Sequence, residues 1–134
     1  MINGKLDVGV AISLGILMLI NGIFMTVAPE SWYWLIPGVA DRGPFNQHFV
    51  RDIGFIYALM GVAFIYVPAY ARAHWRSLVL PAGWLICHAV FHVWEVIIGL
   101  CGTQALVEDF AGVILPALLA GVLIFRCYRS TAQA

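Results

Sequence analysis

The sequence predicts an all-α integral membrane protein, a four-helix bundle with its N- and C-termini in the cytoplasm. Three observations carry this. Of the 134 residues, 63% are hydrophobic and 10% charged, with a mean hydropathy of +0.93; soluble domains carry about 25% charged residues, so water could not solvate this surface. The charged residues divide the chain into four apolar runs, each close to the ~20 residues needed to cross a hydrocarbon core. The basic residues, finally, collect on one side if four helices alternate across a bilayer.

The first run covers 8–28 (VGVAISLGILMLINGIFMTVA). A cleaved signal peptide is the competing reading; the length of the run, Pro29 directly after it and the later apolar segments argue against it. The second run covers 46–67 and ends before Pro68, with Asn46 placed to cap its start. The third covers 78–100, and the fourth covers 104–125, with Pro116 expected to bend it. The SerThrAlaGlnAla tail reads as unstructured. The whole chain, 1–134, is one transmembrane domain.

Lys5, Arg72, Arg76, Arg126 and Arg129 fall on one side of such a bundle, and only Arg42 and Arg51 on the other. By the positive-inside rule the first group is cytoplasmic, so the first and third connections face outwards. The first connection, 29–45, carries Trp32, Tyr33 and Trp34 in a row together with Pro29, Pro37 and Pro44. Aromatic rings with a polar edge favour the headgroup zone, so this segment is expected along the outer interface, as an anchor belt or a lid over the helices beneath.

Small residues recur at packing intervals, in Gly15 and Gly22, Gly54 and Gly61, and Ala117 and Gly121. In lipid, close backbone approach replaces the hydrophobic effect as the force joining helices. Cys87, Cys101 and Cys127 show no metal-type spacing and lie at different depths, so they read as packing residues. Seven basic and seven acidic residues leave no net charge and no basic stripe for a phosphate backbone, which argues against nucleic-acid partners.

The informative residues are ionisable groups at membrane depth, which are costly there. His88, His92 and Glu95 in CHAVFHVWE share one face of the third helix. His48, Arg51 and Asp52 in NQHFVRD share a face of the second. At 1.5 Å per residue, Asp52, Glu95, His92 and Asn21 fall roughly 8–12 Å below the outer ends of their helices and His88 roughly 18 Å below. Glu108 and Asp109 lie in the first turns of the fourth helix, where the N-terminal dipole favours negative charge. All four helices thus bring polar groups to one slab in the outer half of the membrane.

The same residues admit several chemistries. An ion-pair network would join Arg51 to Glu95 while the histidines bond Asn21 or backbone carbonyls. A metal site would use His88 and His92 as a one-turn chelate, completed by Glu95 and by His48 or Asp52. That nitrogen and oxygen set suits zinc, iron or copper(II). A haem would need axial histidines from facing helices, such as His48 and His92. Proton transfer or an anionic ligand would use Arg51 to hold a carboxylate and a histidine as the shuttle, with Asp109 in the same network. His74, in ArgAlaHisTrpArg, is expected in solvent or among headgroups.

Four short helices, a Trp-rich first connection and the string PheAsnGlnHisPheValArgAspIleGly together resemble small bacterial membrane proteins of the DoxX-like kind. The resemblance implies an inner-membrane location and an accessory role beside a quinone-linked oxidoreductase. The reading of the residues themselves is a membrane accessory protein with an outward-facing pocket for a metal or ligand. A membrane redox enzyme and a purely structural subunit remain as alternatives. Its partners are the bilayer and either a membrane complex or further copies of itself.

Overall fold

The computed structural model describes residues 4–69 and 75–132; Arg72 and His74 lie outside the described residues. The described residues are helical, without strands. Helix α1 spans Lys5–Val27, α2 Pro29–Leu35, α3 Gln47–Ala69, α4 Val79–Ile97, α5 Gln104–Asp109 and α6 Leu115–Ala132. Short 3-10 turns cover Ala40–Arg42 and Trp75–Leu78, and a π-helical stretch, Phe110–Ile114, joins α5 to α6. Four segments, Lys5–Val27, Gln47–Ala69, Trp75–Ile97 and Gln104–Ser130, are long and apolar enough to cross a membrane. Their outer faces carry Leu59, Leu80 and Val90 in the open, as a lipid-solvated bundle requires.

The closest packing joins α1 to α3, and glycine makes it possible. A Cβ on Gly22 would lie 2.5 Å from both the Ala58 nitrogen and the Gly54 oxygen; one on Gly61 would lie 2.6 Å from the Leu19 nitrogen and 2.7 Å from the Gly15 oxygen. Gly15 and Gly22 therefore face Gly61 and Gly54 with backbone against backbone, and dispersion and close approach hold the pair. Leu14, Met18 and Met25 from α1 and Tyr57 and Phe64 from α3 continue the seam. It meets Leu85 of α4 and Ala120 and Leu123 of α6 in one core. At one end of the bundle, Arg126 Nε donates to Asp7 Oδ1 at 2.6 Å, tying α6 to α1.

Several helix ends have local causes. Asn46 caps α3, its Oδ1 accepting the Phe49 N–H at 3.1 Å. α4 stops at Ile97 rather than Leu100, because Gly99 takes φ +77° and the Leu100 N–H returns to the Glu95 carbonyl at 2.9 Å. The fourth span carries a π-helical turn just before Pro116. Proline offers no N–H and its ring crowds the carbonyl four residues back, which widens the preceding turn. Of the tail expected to be unstructured, 130–132 instead continue α6, and 133–134 lie outside the described residues.

The connection after α1 is more structured than a belt of anchors. Pro29 opens α2, where its missing N–H costs nothing. The Tyr33 side chain turns inward, and its hydroxyl donates to the Gly43 carbonyl at 2.6 Å. Trp32 Nε1 donates to Asn21 Oδ1 at 2.8 Å. These bonds fold the connection back over the ends of the spanning helices.

Candidate functional site

The polar centre of the molecule is assembled from three elements. Asp109, the last residue of α5, is 5% exposed. Its Oδ2 accepts from Arg42 Nη2 at 2.9 Å and lies 2.8 Å from His92 Nδ1. Arg42 comes from the 3-10 turn of the first connection and His92 from the middle of α4. One carboxylate oxygen thus joins the connection, α4 and α5.

His88, one turn from His92, packs edge-on against it with ring centroids 4.5 Å apart. On its other sides His88 stacks on Trp84, with the planes 6° apart, and meets the ring of Tyr57 from α3 at 6.3 Å. Trp84 Nε1 is buried with no hydrogen-bond partner among the described residues. Beside the ion pair, Gly38 turns with φ +75°. A Cβ there would meet only the movable ends of Glu108 and Arg42, Oε2 at 2.6 Å and Nη1 at 3.2 Å, so it is the positive φ that favours glycine here.

The electrostatics follow from the bonds. A carboxylate only accepts hydrogen bonds, so His92 donates from Nδ1, and its Nε2 is left with a lone pair while the ring is neutral. Arg42 supplies the cation that a nearly buried carboxylate requires. The result is an imidazole fixed in one tautomer and one orientation, with a second imidazole against its ring. Such a group can accept a hydrogen bond or a proton, or offer a nitrogen to an electrophile.

The residues singled out from the sequence divide into separate sets. His88, His92 and Asp109 come together. His48 and Asp52 pair with each other, Nε2 to Oδ2 at 3.3 Å, with 89% and 56% of their side chains exposed, on the outer face of α3. Arg51 does not meet Glu95; its Nε donates to the Thr26 carbonyl at 3.0 Å. That carbonyl is one of the last in α1, left without an intrahelical donor, so a nearby cation and donor is well placed. Asn21 holds Trp32 and takes no part with the histidines. Glu95 is half-buried near the end of α4, outside the Arg42–Asp109–His92 set. Among the described residues, no three His, Cys, Asp or Glu side chains are grouped so as to hold a metal ion. The set of His48, Asp52, His88, His92 and Glu95 is not gathered into one place. Two shallow, largely apolar clefts lie elsewhere, one between α1 and Leu119 and the other between α4 and α6.

Arg42 is the participant that sequence reasoning did not place at the site. It counted only as a charge in the outer connection. The available signal was its isolation: a basic residue in a connection that must fold back over the helix bearing Glu108 and Asp109.

Fold and site together define a class, an all-α membrane protein of four spanning helices with a polar cluster in its interior. No protein-family model matches the chain, and neither a curated protein nor a solved structure is significantly similar to it. The DoxX-like resemblance therefore rests on the sequence features alone.

Proposed function

We propose that this chain is a small accessory protein of a bacterial inner membrane that binds a protic small ligand at His92, with His92 as the proton acceptor. The observation that carries the reading is the sharing of Asp109 Oδ2 between Arg42 and His92 Nδ1. Asp109 orients the imidazole and Arg42 balances the carboxylate, which leaves His92 Nε2 as the reactive atom. His88, in contact with the His92 ring, is the next group able to take a proton. The distribution of basic residues supports an orientation with both termini cytoplasmic and the Arg42 connection outside.

Diethyl pyrocarbonate, a small electrophile that acylates unprotonated imidazole nitrogens, tests the reading in membrane vesicles. Mass spectrometry should find His92 modified, and Asp109→Asn should slow that modification several-fold while leaving the exposed His48 unchanged. An inert His92 beside a reactive His48 would overturn the proposal. A cysteine at Glu30, exposed in the first connection, checks the orientation: an impermeant thiol reagent should reach it only from outside.

A further inference from the structure

One face of α3 is not used by the bundle, and its pattern is regular. His48, Asp52, Phe55, Leu59 and Val62 follow one another at alternating steps of four and three, and all are exposed. At 3.6 residues per turn they form one stripe, on the side of α3 opposite Gly54 and Gly61, which face α1. The 3.5-residue repeat is that of a helix seam packed against another helix.

The stripe also carries charge where lipid cannot accept it. α3 has 23 residues and is about 34 Å long, against a hydrocarbon core of ~30 Å. Asp52 is about 8 Å from the start of the helix, so its carboxylate lies about 5 Å inside the hydrocarbon if the helix is centred. An ionisable side chain there normally faces protein or water. Yet more than half of the Asp52 side chain is exposed, and its ion-pair partner among the described residues is His48 of the same helix.

We propose that this face of α3 is the seam of a parallel homodimer. Under a twofold axis along the membrane normal, each residue of the stripe meets its own copy. The two Asp52 carboxylates meet near the axis, and the two His48 imidazoles sit one turn nearer the membrane surface. With both rings in the imidazolium form, each donates one N–H to its own carboxylate and the other to that of the second copy, so two cations and two anions close a ring of four hydrogen bonds away from lipid. Below it, Phe55, Leu59 and Val62 pack against their counterparts. A second copy is the occupant because the stripe holds both halves of the complementary pair; an isologous contact needs nothing from another polypeptide.

The test uses the full chain in lipid vesicles at low protein-to-lipid ratio, with Cys87, Cys101 and Cys127 replaced by alanine. Leu59→Cys should form a disulfide-linked dimer on mild oxidation at least tenfold faster than Val90→Cys, an equally open position on α4. Adding Asp52→Lys, which sets two ammonium groups at the axis, should abolish that cross-link. Equal cross-linking at the two positions, or a cross-link indifferent to Asp52→Lys, overturns the proposal. Native mass spectrometry of the unsubstituted chain released from nanodiscs gives an independent reading. A dimer is expected; a monomer, or a complex with a different polypeptide, overturns it.

Discussion

His92 and Asp109, seventeen residues apart on different helices, meet through Nδ1 and Oδ2 at 2.8 Å, and the same oxygen holds Arg42 at 2.9 Å. This three-way contact joins the first connection to the interior of the bundle. Arg42, rather than Arg51, is thus the arginine paired with a buried carboxylate.

Arg42→Ala removes the cation from a carboxylate that is 5% exposed and leaves it the His92 N–H. Breaking a buried pair from one side costs about 3–5 kcal/mol. Arg51→Ala removes one bond to the Thr26 carbonyl and should cost about 1.5–3 kcal/mol, as for other bonds to a charged donor. Thermal unfolding in detergent, followed by circular dichroism, should rank Arg42→Ala well below Arg51→Ala. Asp7→Asn, facing the exposed Arg126, should move the midpoint least of the three.

The four spans were legible because hydropathy adds along the chain, and long apolar runs between charged residues leave few alternatives. The His88–His92 face was legible for the same kind of reason: a four-residue step fixes two side chains on one helix. What a single helix does not encode is its rotation against its neighbours. His48 and Asp52 were expected to turn inward with His92, whereas they face out. The signal was present in Gly54 and Gly61. If those glycines admit α1, the helical period puts His48 and Asp52 on the far side. Arg42 was harder to place, because a residue in a connection has no period to fix its direction.

Gly22→Ala tests the contact between α1 and α3. The added methyl would lie 2.5 Å from backbone atoms of Gly54 and Ala58, which cannot turn aside as a flexible side chain would. The helices must separate, at a cost of about 1–3 kcal/mol. Gly83→Ala in α4 meets nothing within 4 Å and should stabilise by up to about 1 kcal/mol through helix propensity. The two variants should shift the unfolding midpoint in opposite directions.

Tyr33→Phe removes the hydroxyl that holds the connection closed over the bundle. That hydroxyl lies 2.6 Å from the Gly43 oxygen and 3.3 Å from that of Ala40. The loss should cost about 0.5–1.5 kcal/mol, and its local effect should exceed its global one. Hydrogen exchange should accelerate at Val39 and Arg42, whose amides bond within the connection at 3.3 and 3.2 Å, while α3 keeps its protection.

A last prediction is that the π-helical turn sets the direction of Asp109. Phe110–Ile114 carry a wider turn than an α-helix, immediately after Asp109 and before Pro116. Deleting Gly112, where a Cβ would meet nothing within 4 Å, would allow the span to return to α-helical register. One residue fewer turns everything before it by about 100° relative to α6. The Asp109 carboxylate would then leave both Arg42 and His92, although every side chain of the cluster is still present. The deletion should lower the unfolding midpoint about as far as Asp109→Asn, and slow the acylation of His92 to the same degree. A deletion variant that keeps wild-type stability and wild-type His92 reactivity would show that the π turn does not aim the carboxylate.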